Sequence, residues 1–155
     1  MLREALVGFV RGIGIPVKEA AAAQDWFLPG LDIRAGAILI DPARWQHPGD
    51  ILHDAGHLAV TAPGERAADK LAPTPGDEMA AIAWSYAAAV HLDLAPEMVF
   101  HANGYRGEGS SLAENFAAGH YIGVPLLHCY GMTIEPRLAK PDGPLPYPRM
   151  LQWLR

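Results

Sequence analysis

Hydrophobic positions recur at helical spacing from the start of the chain. Leu2, Leu6, Phe9 and Val10 fall on one side of a 3.6-residue period, which predicts a short amphipathic helix over residues 2–11. Gly12 and Gly14 stop it. The alanine-rich stretch 17–27 reads as a second helix ending before Pro29-Gly30. Two β-like runs follow, Leu31–Arg34 and Ala37–Ile40, around an Ala35-Gly36 turn, so a hairpin closed by Asp41-Pro42 is expected. Residues 48–60 return to helical spacing, with Pro48 suited to the first helical position.

Thr61–Pro73 shows no periodicity and reads as loop. Thr74-Pro75-Gly76-Asp77 then has the form of a capping box, Asp replacing the commoner Glu, ahead of an alanine-rich helix running to about Leu92. Ser111-x-x-Glu114 predicts a second capping box and a helix that Gly119 or Gly123 ends. From Pro136 to Pro148 there are five prolines in thirteen residues, which predicts an extended arm. The pattern implies an α+β fold, mainly helical with a small sheet or hairpin. Residues 1–155 form one domain, and 136–155 are a Pro-rich arm packed on its surface, pinned by Trp153.

Composition narrows the classes. Half of the residues are hydrophobic and 19% are charged, as in an ordinary globular domain of this length. The net charge is −5 without any basic run, which argues against a nucleic-acid partner. No stretch approaches the ~20 apolar residues that span a bilayer, so no membrane partner is expected. No signal-peptide pattern opens the chain, and a cytoplasmic location is the default expectation. Cys129 is the single cysteine, which excludes an intramolecular disulfide and cysteine-based zinc sites.

Chemistry concentrates in His53-Asp54-Ala55-Gly56-His57. Helix positions i and i+4 lie about 40° apart, so both imidazoles project from one face at chelating distance. Ile51, Leu52, Ala55, Leu58 and Ala59 form an apolar stripe nearly opposite that pair. Such a helix resembles the wall of a metal cleft. An acid follows the first histidine, and Gly56 leaves room for close packing beside the second. A catalytic zinc usually takes three protein ligands and keeps a position for water. The third is expected from the next helix: Glu78, or Asp77, which the capping role suits better.

These features together resemble the ImmA/IrrE-like zincin metallopeptidases. A hairpin runs into Ile40-Asp41-Pro42, a helix carries His-acid-x-Gly-His, and an acid-led, alanine-rich helix follows; the resemblance covers roughly residues 30–92. It implies a zincin-like fold, Zn2+ or another divalent ion held by His53, His57 and Glu78, and the acid after the first histidine, Asp54, as general base. The family pattern is His-Glu-x-x-His, so Asp54 is one methylene shorter than the family residue. A metal-activated water would then make the protein a zinc-dependent, metallopeptidase-like hydrolase acting on a peptide or protein substrate. The segment Ile51-Leu52-His53-Asp54 also resembles the signature of HD-type phosphohydrolases, in which the adjacent His and Asp both bind metal. A third reading is a non-catalytic metal-binding regulatory module.

Other positions suggest less. His101, Tyr105 and Arg106 lie in a Gly-containing loop whose polar groups could stabilise an oxyanion, although an ordinary surface loop accounts for them as well. His120, Tyr121 and His128 read as satisfied, partly buried groups. His91 suits a helix C-terminus. Trp26, Trp45, Trp84 and Trp153 read as packing residues, and Cys129 lacks the surroundings of a reactive thiol.

Overall fold

The computed structural model describes residues 1–155 apart from the side chain of Arg106. Helix α1, Leu2–Gly12, buries Leu6 and Val10 of the expected face and half-buries Phe9, while Leu2 at its first turn stays exposed. Gly14, at φ 103°, turns the chain away from it. Strand β1, Val17–Glu19, follows, then β2, Leu31–Arg34, and β3, Ala37–Ile40. The sheet order is β1-β3-β2, with β1 parallel and β2 antiparallel to β3. The expected hairpin forms around Ala35 and Gly36, both at positive φ (49° and 77°), the geometry that matches strand twist.

The helix expected over 17–27 does not form. Val17–Glu19 is strand, and the chain beyond it is irregular. The Pro16 carbonyl accepts from Ile38 N–H, and Ala20 N–H donates to Ile40 O, both at 2.9 Å. Ala22 N–H is taken by Asp41 Oδ2, also at 2.9 Å. Alanine propensity contributes only a few tenths of a kcal/mol per residue over ordinary residues, and these partners outweigh it.

Helix α2, Asp50–Val60, and helix α3, Pro75–His91, form the centre of the molecule. A Cβ on Gly56 would stand 2.8 Å from Ala81 O and 3.3 Å from Trp84 Cε3, so glycine is what permits the two helices to approach so closely. The small side chains Ala80, Ala81, Ala83, Ala87 and Ala88 of α3 are all buried. The expectation of one apolar face on α2 is therefore incomplete. Its stripe is fully buried, but Asp54, Gly56 and His57 on other sides are buried too. The helix starts at Asp50 rather than Pro48, its end lodged against a 3₁₀ turn at Pro96–Met98, where a Cβ on Gly49 would overlap Met98 O at 1.7 Å.

Helix α4, Gly109–Ala117, begins before Ser111, so Ser111 is inside the helix and the second capping box is not formed. Helix α5, Val124–Cys129, falls where no helix was expected. Beyond it the chain returns across the helices. Tyr147 is buried and donates to Ala83 O at 2.8 Å, Trp84 Nε1–H donates to Trp153 O at 2.9 Å, and Arg155 N–H donates to Ala59 O at 2.9 Å. Trp153 stands edge-on to Phe9 and Trp84. The result is a small α+β domain, and among the described residues no helix is long and apolar enough to cross a membrane.

Candidate metal centre

The start of α3 decides which acid faces α2. Thr74 Oγ1 accepts from Asp77 N–H at 3.2 Å, while Asp77 Oδ2 accepts from Thr74 N–H at 2.8 Å, so the capping box is complete. Asp77 is thereby occupied at the helix end. Glu78, one residue on, points across to α2, where Oε1 lies 2.9 Å from His53 Nε2 and Oε2 lies 2.9 Å from His57 Nε2. One carboxylate thus bridges both imidazoles, whose ring centroids are 4.6 Å apart.

His53, His57 and Glu78 offer three ligand atoms within 4.8 Å of one another, a group that could hold a metal ion. The donor chemistry fits: two imidazole nitrogens and one carboxylate oxygen is a set that zinc and similar ions accept. The local electrostatics fit as well. Burial lowers the pKa of His53, against the opposing pull of Glu78, and so favours the neutral imidazole that a metal requires. Hydrogen bonds from His53, then His57, hold Glu78 well below the usual carboxylate range, hence ionised.

Asp54 sits differently. It is only 2% exposed, and that burial pushes its carboxyl pKa up to about 7. It lines a cavity of about 300 Å³ together with His57, Glu78, Asp32, Arg34 and Phe27. Arg34 Nε reaches Asp32 Oδ2 at 2.5 Å, and Arg34 Nη2 reaches Asp25 Oδ2 at 2.8 Å. On the other side of the metal group a larger cavity, about 760 Å³, is lined by His53, Glu78, Asp50, His101 and Tyr105 among others. His101 Nε2 lies 2.7 Å from Asp50 Oδ1, and His47 stacks on the His101 ring at 4.0 Å. Tyr105 stands edge-on to His53 at 5.3 Å. Phe27 and Glu78 line both cavities, so the metal group lies between two parts of one cleft.

The structure therefore brings His53, His57 and Glu78 together, keeps Asp77 at the cap, and places Asp54 beside them in the smaller cavity. His101 and Tyr105 belong to the cleft rather than to an ordinary surface loop; the side chain of Arg106 lies outside the described residues. His120 is exposed, contrary to expectation, because Gly119 at φ 79° ends α4 just before it. His128 is satisfied, Nδ1 accepting from Glu135 N–H at 3.1 Å. Asp50, Asp32 and Arg34 escaped the sequence reading. Asp50 precedes His53 by three residues and so shares its helix face, and Asp32 and Arg34 alternate on one face of β2. Those spacings were the available signals.

Fold and site together define a small α+β domain with a candidate His/His/Glu metal centre in a two-part cleft. Compared with known proteins, the chain matches no family model, no curated protein and no solved structure.

Proposed function

We propose that the protein is a zinc-dependent hydrolase of metallopeptidase type, similar in its working parts to the ImmA/IrrE-like zincins. The observation that carries this reading is the pair of imidazoles one helical turn apart, bridged by the carboxylate of Glu78 from the neighbouring helix. A divalent ion held by His53, His57 and Glu78 would supply Lewis acidity and make water nucleophilic near neutral pH. Asp54 is the general base. Its raised pKa, about 7, suits proton uptake near neutrality, and its burial shields that proton from bulk water. Phe27, 77% exposed at the edge of both cavities, offers an apolar contact for a substrate laid along the cleft.

The ligand geometry supports this reading over a phosphohydrolase of HD type. That chemistry needs Asp54 in the metal group, whereas the described donors cluster as His53, His57 and Glu78. The deciding experiment loads the protein with zinc and offers it a fluorogenic peptide library beside a panel of nucleotides and phosphodiesters. Chelator-sensitive peptide cleavage is expected. Turnover of the phosphate esters alone would reverse the assignment, and metal binding without turnover of either would leave a regulatory metal module.

A further inference from the structure

The smaller cavity gathers charges from three separate stretches of chain. Arg34 closes β2, Lys70 lies in the loop before α3, and Asp25 belongs to the irregular stretch between β1 and β2. Arg34 Nη2 at 2.8 Å and Lys70 Nζ at 3.4 Å both reach Asp25 Oδ2. All three residues line the same cavity as Asp54, His57 and Glu78. Two cations from distant parts of the chain thus converge on one carboxylate beside the candidate metal group.

The two acids that Arg34 holds are not equivalent. Asp32 is 7% exposed and accepts from Arg34 Nε at 2.5 Å, so it is the fixed counter-ion of the guanidinium. The Asp25 side chain is 57% exposed, and that of its second partner, Lys70, is 60% exposed. Ion pairs this open to water contribute little to stability, and another anion can take the place of one partner. Arg34 and Lys70 balance Asp32 and Asp25, so with Asp25 swung away one positive charge is left for one carboxylate. Arg34, then Lys70, hold the Asp25 carboxyl below its ordinary value, which shows that the pair favours an ionised group. Ile33, Leu71 and Pro73 give the cavity apolar walls, and at ~3.5 Å of chain per residue its volume of about 300 Å³ admits one or two residues.

We propose that Arg34 and Lys70 form a subsite for a carboxylate of a bound peptide, and that Asp25 occupies it in the free protein. The ligand group is the C-terminal carboxylate of the peptide or the side chain of an Asp or Glu close to the bond held at the metal group. It takes over the partners of Asp25, and the rest of the peptide, anchored along the cleft, gives it the advantage. Asp25 is then a competitor built into the chain, and Lys70 and Arg34 are specificity-determining residues. The subsite deepens the hydrolase reading and rests on it for the class of ligand, while the convergence of the two cations stands independently of any metal.

Three probes test it on the zinc-loaded chain. Each joins a hydroxamate, which engages the ion, to one amino acid: leucine ending in a free carboxylate, leucine ending in a carboxamide, or glutamate ending in a carboxamide. A carboxylate-bearing probe is expected to bind about ten-fold tighter than leucine carboxamide, and Lys70→Gln to remove most of that margin with zinc affinity unchanged. A margin for the leucine carboxylate assigns the group to the chain terminus, and one for the glutamate probe assigns it to an acidic side chain. Asp25→Asn should tighten the favoured probe about three-fold and leave leucine carboxamide where it was, a gain that loss of a merely structural ion pair does not produce. In the metal-free chain, N-acetyl-leucine should shift the backbone amide NMR signals of Asp25, Arg34 and Lys70 saturably, and N-acetyl-leucinamide should not. Equal binding of all three probes, or a margin indifferent to both substitutions, overturns the subsite. Failure of wild type to bind zinc overturns the metal reading instead, and the metal-free titration then decides the subsite alone.

Discussion

The two sides of the metal group are built on opposite principles. On the side of the smaller cavity the charges complete one another: Arg34 spans Asp32 and Asp25, and Lys70 reaches Asp25 at 3.4 Å. On the side of the larger cavity His101 and Tyr105 each keep one buried polar atom without a partner among the described residues. The first arrangement is closed on itself, with Asp25 and Lys70 at its exposed edge. The second leaves two buried polar atoms unmatched among the described residues. Paired polar groups stabilise the fold, whereas unpaired buried ones cost stability. Asp54 is the exception on the paired side, a buried carboxyl held near neutrality.

Four measurements would break or sharpen that contrast. The largest effect belongs to the residues between the two sides. The His53→Ala/His57→Ala double variant should lose stoichiometric zinc altogether, and Glu78→Gln should weaken it far more than Asp77→Asn, because Asn can still cap α3. Elemental analysis and zinc titration read this out, and full zinc in the double variant would remove the metal centre from the molecule. Next is Asp54→Asn, expected to keep zinc but lower peptide hydrolysis by roughly 10²–10⁴-fold, as removal of a general base does. Asp54→Glu, which restores the longer side chain, should retain both metal and activity. Zinc affinity falling in Asp54→Asn as far as in His53→Ala would make Asp54 a ligand and favour the phosphohydrolase reading.

The same residue gives a pH test in the metal-free protein. Its folded pKa of about 7 lies above its ordinary value of 3.8. Its contribution to stability is therefore fully present below pH 3.8 and is lost as pH rises through about 7. Asn does not titrate, so the melting temperature of Asp54→Asn relative to wild type should climb from pH 5 to pH 8. The downward shift of Glu78 acts below this window, and that of His53 is common to both proteins and cancels. A difference that stays flat across the window would mean Asp54 is not held near neutrality. The smallest effect compares the two sides directly. Arg34→Ala strands Asp32, 7% exposed, and should cost about 1–3 kcal/mol in chemical denaturation. Tyr105→Phe should cost nothing. Equal losses would erase the contrast.

Much of this architecture was legible along the chain, for local reasons. Helix α1 follows from the spacing of Leu6, Phe9 and Val10, the hairpin from Ala35-Gly36 between two apolar runs, and the head of α3 from Thr74 and Asp77. The candidate ligands were legible for the same reason. His53 and His57 are one turn apart in sequence, and the capping box leaves Glu78 as the acid free to turn elsewhere. What failed was whatever depended on a distant partner. Residues 17–27 look helical by composition, yet β3 takes Val17–Glu19 into the sheet. Ser111 looked like a cap, but α4 begins two residues earlier, at Gly109.

By itself, then, the sequence determined the helical periods, the turns, the caps and the i, i+4 spacing of the histidines, because each involves groups only a few bonds of backbone apart. Tertiary structure decided the rest: that Gly56 meets Ala81 closely enough to bring Glu78 between the histidines, that Asp54 is shut away from water, and that Asp50 meets a histidine 51 residues further on. Burial and long-range pairing arise only when whole helices pack, and that packing turns the i, i+4 histidine spacing into a three-residue group that could hold a metal ion.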